Sequence, residues 1–182
     1  MAPGSSEVND HTRVLPSAAE ERCREIYERQ CRRIYSLSLW MTNNKIAAQR
    51  LVSRTFLRAL AFSGFADTEQ VDQAFLAEVS GLSPVEAPAL GVAAAPGRNR
   101  IDSNIKQVHI EKAVAQLPAT ERLIFLLHDV NGYDQRRISR LLRFSKDQVL
   151  VGLHRARVRI REIVARMQET TESGSLPTCI SS

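Results

Sequence analysis

The sequence predicts an all-α chain: two small helical modules joined by a flexible linker, the C-terminal module a helix-turn-helix. Three observations carry this. Apolar residues recur at three-four spacing in two separate stretches. Between them, Gly81 to Arg98 holds three prolines and three glycines, a density that breaks helix and strand periodicity alike. The second stretch ends in a short helical pattern, a three-residue turn and a longer basic helix. Aromatic residues make up only 5% of the 182, which argues against an all-β sandwich. The predicted layout is a disordered tail at 1–19, a helical module at 20–80, a linker at 81–103, a second module at 104–168 and a disordered tail at 169–182.

The first helix shows Cys23, Ile26, Tyr27, Gln30, Cys31, Ile34, Tyr35, Ser38 and Leu39 on one face, with most of its arginines off it. Cys23 and Cys31 fall on that stripe and read as small core residues. Trp40, the sole tryptophan, reads as core of the same hairpin. Asn43 and Asn44 offer a break and an N-cap. Ala48, Leu51, Val52, Thr55, Phe56, Ala59 and Leu60 form a second stripe that can pack on the first. A third, shorter pattern runs through Val71, Ala74, Phe75, Glu78 and Val79, with Asp67 or Thr68 as its cap.

In the second module Ile110, Ala113, Val114 and Leu117 make a stripe that stops at Pro118. Leu123 to Leu127 is apolar on nearly all sides and is therefore expected to be buried. Asn131-Gly132 suits a left-handed C-cap, and Asp134 can cap the short helix of Ile138, Leu141 and Leu142. After the turn Arg143-Phe144-Ser145, the spacing of Ser145 and Gln148 is that of a capping box. It opens a long helix with Val149, Leu153, Ala156, Ile160, Ile163 and Val164 on its buried face.

Charge is distributed unevenly. The net +5 of the chain hides two blocks of +7, residues 22–61 and 105–167, separated by a block of −4 and flanked by acidic tails. Two basic modules point to a polyanion or an acidic protein surface as partner. Other classes are excluded on composition and motif. No apolar run is long enough for a membrane span, and the first residues lack the pattern of a secretory signal. The three cysteines contain no C-x-x-C pair, and the four histidines have no metal-ligand spacing, so neither a disulfide framework nor a metal site is expected. Phosphate loops, nucleophile elbows and paired carboxylates are missing, so the chain is not expected to be an enzyme and no cofactor is implied.

Leu117-Pro118-Ala119-Thr120-Glu121-Arg122, then His128-Asp129-Val130-Asn131-Gly132-Tyr133, then Leu153-His154-Arg155-Ala156-Arg157, resembles the C-terminal domain of bacterial extracytoplasmic-function (group IV) sigma factors. More weakly, Ala48-x-x-Leu51-Val52-x-x-Thr55-Phe56-Leu57-Arg58-Ala59 resembles the N-terminal domain of that family. The resemblance implies a cytoplasmic, nucleoid-associated protein with two partners: promoter DNA and the RNA polymerase core, met at its clamp and flap. An anti-sigma factor or other regulator is a further candidate partner. It implies DNA binding through Arg136, Arg137, Lys146, Gln148, Arg155 and Arg159, with the last helix in the major groove of the −35 element. It implies core binding through Gln49, Arg50, Leu51, Ser53 and Arg54.

This chain departs from the family in three places. The segment before Phe56 is acidic in the family and here carries Arg50 and Arg54, a charge reversal. The family's Trp-containing melting helix has no counterpart in residues 62–104. Where the recognition helix often reads Lys-Ser-Arg, this chain has Leu150-Val151-Gly152, expected to face DNA or solvent. That patch reads either as a divergent helix that grips phosphate with little base preference, or as an apolar surface for a protein partner. A degenerate sigma-derived regulator that does not initiate transcription is the alternative function. From the linker composition, limited proteolysis is expected to cut within residues 81–103 before it cuts inside 110–165.

Overall fold

Asn43 and Asn44 decide the first reversal of the chain. Ala18–Thr42 forms α1 and Lys45–Ser63 forms α2. Asn43 sits between them at φ 49°, a left-handed conformation that asparagine tolerates better than most residues. Asn44 caps α2, its side-chain oxygen accepting from the Ala47 amide at 3.0 Å. Thr68–Leu82 forms α3, opened by a full capping box: Asp67 Oδ1 accepts from the Gln70 amide at 2.7 Å, and Gln70 Oε1 accepts from the Asp67 amide at 3.0 Å. The computed structural model describes residues 18–63, 67–90 and 107–173. Expectations that fall on 1–17, 91–106 and 174–182 lie outside these.

Ile34 and Leu37 of α1, Leu51 and Phe56 of α2, and Val71 and Phe75 of α3 bury one another in the first core. Each fully buried side chain of this size contributes about 1.5–3 kcal/mol. Cys31 packs partly against this core, as the stripe predicts, and Trp40 does so too. Tyr27 lies on the same stripe but remains 46% exposed, its ring edge-on to Phe56 at 4.8 Å between centroids. Glu78 is buried although charged, because Arg54 at 2.7 Å and Arg58 at 2.6 Å reach it from α2.

The second module comprises α4 (Gln107–Ala115), α5 (Ala119–Phe125), α6 (Gln135–Leu142) and α7 (Lys146–Ser173). Among the described residues there is no strand. Leu123 to Leu127 is buried throughout, as expected. The helix of α5 widens into a π turn over Leu126–Val130. The Asn131 amide and its side-chain Nδ2 both donate to the Leu126 carbonyl, at 3.0 and 2.8 Å, and hold that widened turn closed. Gly132 follows at φ 70°, and the chain turns into α6. The last helix runs to Ser173, five residues past the predicted end of the module at 168. Gln168 to Ser173 contains neither glycine nor proline, so nothing stops the helix before Gly174.

The linker departs from its sequence reading in its first half. Residues 84–90 do not stand away from the modules but lie along α5 and α7. Val85 packs against the core and Pro88 is buried. The Glu86 amide donates to Thr120 Oγ1 at 3.0 Å, and Arg155 Nη2 donates to the Ala89 carbonyl at 2.9 Å. Gly152 is the reason the strap fits. It is buried, not outward-facing as expected: a Cβ there would lie 2.5 Å from Ile124 Cδ1 and 3.2 Å from Pro88 Cγ. The glycine that costs about 1 kcal/mol in helix propensity is thus the residue that lets the strap and α5 close on α7.

Replacing this glycine with the family's basic residue, Gly152→Arg, is therefore expected to lower stability by about 1–3 kcal/mol. It should also expose residues 84–90 to proteases that leave them intact in the native chain. Thermal unfolding and limited proteolysis of the two proteins check both effects; an unchanged melting temperature with unchanged protection of 84–90 would refute this packing.

Candidate nucleic-acid interface

Helices α6 and α7 are set at their angle by local chemistry. Asp134 caps α6, its Oδ1 accepting from the Arg137 amide at 2.7 Å. Arg143 ends α6 in a left-handed conformation at φ 56°. Ser145 and Gln148 then form the predicted capping box, Gln148 Oε1 accepting from the Ser145 amide at 2.8 Å and Ser145 Oγ from the Gln148 amide at 3.1 Å. Ile138 and Val149 are fully buried between the two helices and α5. Short helix, tight turn and capped long helix make a helix-turn-helix whose second helix offers its N-terminal turns outward.

The six predicted DNA contacts fall in different places. Arg136 and Lys146 are exposed and have no ion pair among the described residues. Gln148 spends its carbonyl oxygen on the cap of α7. Arg155 holds the linker carbonyl of Ala89. Arg159 pairs with Glu121 at 3.0 Å. Burial raises the pKa of Glu121, and the charges of Arg159 and Arg155 offset part of that rise. Arg137 is turned away toward the first module. Two exposed arginines that the sequence reading left out, Arg140 and Arg143, flank the turn beside Lys146. Their position at the end of the short helix was the available signal.

On α7, Leu150 is 44% exposed while its neighbour Val151 is half-buried. With Asp147 and His154 they share the outward face, so that face is apolar at its centre with an acidic residue at one end and a histidine at the other. Further along, Arg157 makes a two-pronged bond to Asp129, 2.9 Å from Nε and 2.6 Å from Nη2. Burial alone would raise the Asp129 pKa, but the bonds from Arg157 and His128 outweigh it and hold the carboxyl below its ordinary value.

Of the five predicted core-binding residues, four are exposed along α2: Gln49, Arg50, Ser53 and Arg54. Leu51 is 2% exposed and belongs to the core, so it positions the helix and cannot itself reach a partner. The reversed charge at Arg54 is taken up within the chain by Glu78. Arg50 lines an open groove with Ile46, Ala47 and Leu82.

Beside the apolar core that the modules share, two polar contacts join them among the described residues. Arg122 Nη1 donates to the Met41 carbonyl at the end of α1, at 3.0 Å, and Nη2 donates to the Leu117 and Ala115 carbonyls. One guanidinium thus serves the carboxyl ends of two helices, and its burial lowers its pKa. The second contact centres on Asp72 of α3, whose side chain is 4% exposed. Arg33 Nη2 lies 2.6 Å from Oδ1, while Arg137 Nη2 and the Tyr133 hydroxyl each donate to Oδ2 at 2.8 Å. The Arg137 guanidinium also stacks on the Tyr133 ring, 3.9 Å from its centroid. The sequence reading missed Asp72 and Tyr133. The signal was a carboxylate one position from Val71 and three from Phe75, on a face that had to be buried.

Burial, and the hydroxyl's bond to Asp72, push the Tyr133 pKa up to about 12. The proton is on the hydroxyl when the bond is made. The stability it lends is therefore complete below the ordinary value of 10.0 and is lost as pH rises through about 12. Tyr133→Phe should cost about 1–3 kcal/mol at neutral pH and abolish the late phenol ionisation in an ultraviolet pH titration. A native titration with no tyrosine ionising near 12 would contradict the network.

Residues 108–160 match the family model for sigma-70, region 4. No curated protein matches the chain. The matched span covers α5, α6, the turn at Arg143 and the first half of α7, with most of α4. Geometry and match agree: residues 108–160 form a helix-turn-helix and are similar to sigma-70, region 4.

Proposed function

We propose that the chain is a sigma-factor-like protein of the extracytoplasmic-function type that binds the −35 element of promoter DNA through α6 and α7 and recruits the bacterial RNA polymerase core. The observation that carries the reading is the region 4 match over a helix-turn-helix with exposed Arg136, Arg140, Arg143 and Lys146 around its turn. On this reading these cations meet phosphates, which position the module, while the outward N-terminal turns of α7 approach base edges. Leu150 and Val151 offer no bidentate hydrogen bond, so base preference rests on contacts such as a thymine methyl, and affinity rests on phosphates. The protein acts in the cytoplasm on this reading, consistent with the finding that no helix among the described residues is long and apolar enough to cross a membrane.

A second reading has its own support. The exposed face of α2 carries Ile46, Arg50 and Leu57, the latter 69% exposed, and no carboxylate. The family meets basic clamp residues with acidic ones at this segment. A chain that kept region 4 but lost the clamp contact would regulate transcription without initiating it. Core polymerase pull-down with run-off transcription separates the two: joining core and initiating supports the first, and failure of both over a promoter library supports the second. Arg50→Asp is the informative variant, because Arg54→Glu would place a second carboxylate beside Glu78. It should strengthen core binding if the ancestral mode has been lost.

Duplex affinity is expected to fall with salt at a log–log slope of about −3 to −5, near −0.9 for each phosphate neutralised. Lys146→Ala or Arg136→Ala should each shallow that slope by about one and weaken all sequences alike. A flat salt dependence, measured by fluorescence anisotropy, would exclude DNA as the ligand.

A further inference from the structure

We propose that Asp72 is a latch that holds the chain closed by occupying Arg137, and that DNA phosphate competes with this carboxylate for the same guanidinium. The proposal rests on the DNA-binding reading of region 4.

The latch is asymmetric in origin. Asp72 and Arg33 come from the first module, and Arg137 and Tyr133 from the second. Separating the modules would leave the carboxylate with Arg33 alone and strip it of two of its three donors. Opening exposes the carboxylate to water, which replaces those donors, so the clasp is a near-balanced exchange that a competing anion can tip. The modules also share one continuous apolar core, so the clasp acts on top of that packing.

The position of Arg137 gives the latch its consequence. It stands on the first turn of α6, next to exposed Arg136. In a helix-turn-helix the first helix crosses the nucleic-acid backbone. The helix that must lie along phosphates is therefore the helix that α3 covers. Asp72 stands where a phosphate oxygen would stand, and Arg137 cannot satisfy both. Tyr133, stacked under the guanidinium, fixes its direction in the closed form. The acidic block between the two basic modules thereby acts as an internal substitute for DNA.

Asp72→Asn tests this in the full-length chain, because it keeps the shape of the side chain and removes its charge. Small-angle scattering without DNA should show a larger radius of gyration than the native chain. Duplex binding should strengthen about three- to tenfold, as the competent population rises, and the salt slope should steepen by about one as Arg137 joins the phosphate contacts. Unchanged dimensions together with unchanged affinity would overturn the latch. Expansion with no duplex bound by either protein would keep the clasp and refute the competition, along with the DNA reading beneath it. Should the variant fail to fold, hydrogen exchange in the native chain decides. Added duplex should speed exchange across residues 68–82 if DNA displaces Arg137 from Asp72, and unaltered exchange on binding would overturn the proposal.

Discussion

A carboxylate buried between two helical modules needs donors from both, and this requirement shapes much of the molecule. Asp72 draws Arg33 from α1, and Tyr133 and Arg137 from the turn and helix that begin the DNA-binding motif. Gln30 is bound into the same cluster, accepting from Arg33 Nε at 2.8 Å and donating to Thr68 Oγ1 at 3.0 Å. α1, α3 and α6 are thereby tied through one charged centre. The π turn and Gly132 belong to the same arrangement, since they set where Tyr133 enters. The fold commits Arg137 to closure, a cation that a separate second module would leave for phosphate.

A second constraint is steric. Gly152 is the point at which α5, α7 and the strap of residues 84–90 converge. A larger residue would have put charge or bulk there at the cost of that convergence. The reading face of α7 is consequently narrower than its sequence suggests. Leu150, Val151 and His154 face outward, while Arg155 and Arg159 are turned to the strap and to Glu121. On the proposed reading, sequence preference would come from a few apolar contacts framed by cations on α6 and the turn.

What could be read from the sequence was local. The caps at Asn44, Asp67, Asp134 and Ser145 each depend on residues within four positions, and side chain and backbone agree on them in both views. The apolar stripes of α2, α5 and α7 likewise carry their own periodicity. What could not be read was pairing at a distance. Arg137 looked like a phosphate ligand because its partner lies 65 residues away in a block assigned to another module. Arg54 looked like a repulsive charge at an interface because Glu78 was assigned to the third helix's stripe and not to a partner. Gly152 looked exposed because the helix period places it beside the buried stripe, and only the docked linker makes that flank interior. Proline and glycine density placed the end of the helix at residue 81, two residues before the cap at Ser83, and composition does not say whether an irregular segment is bound.

The account's central claim is that α6 and α7 grip a duplex chiefly by its backbone, with Arg137 exchanged from carboxylate to phosphate. A structure of the full chain bound to a promoter duplex tests this most directly. The account predicts α7 in the major groove with Leu150 and Val151 at base edges, Arg136 and Lys146 on phosphates, and Arg137 off Asp72 and on the backbone. A complex in which α7 lies outside the groove, or in which Arg137 remains on Asp72 while DNA is bound, would contradict it.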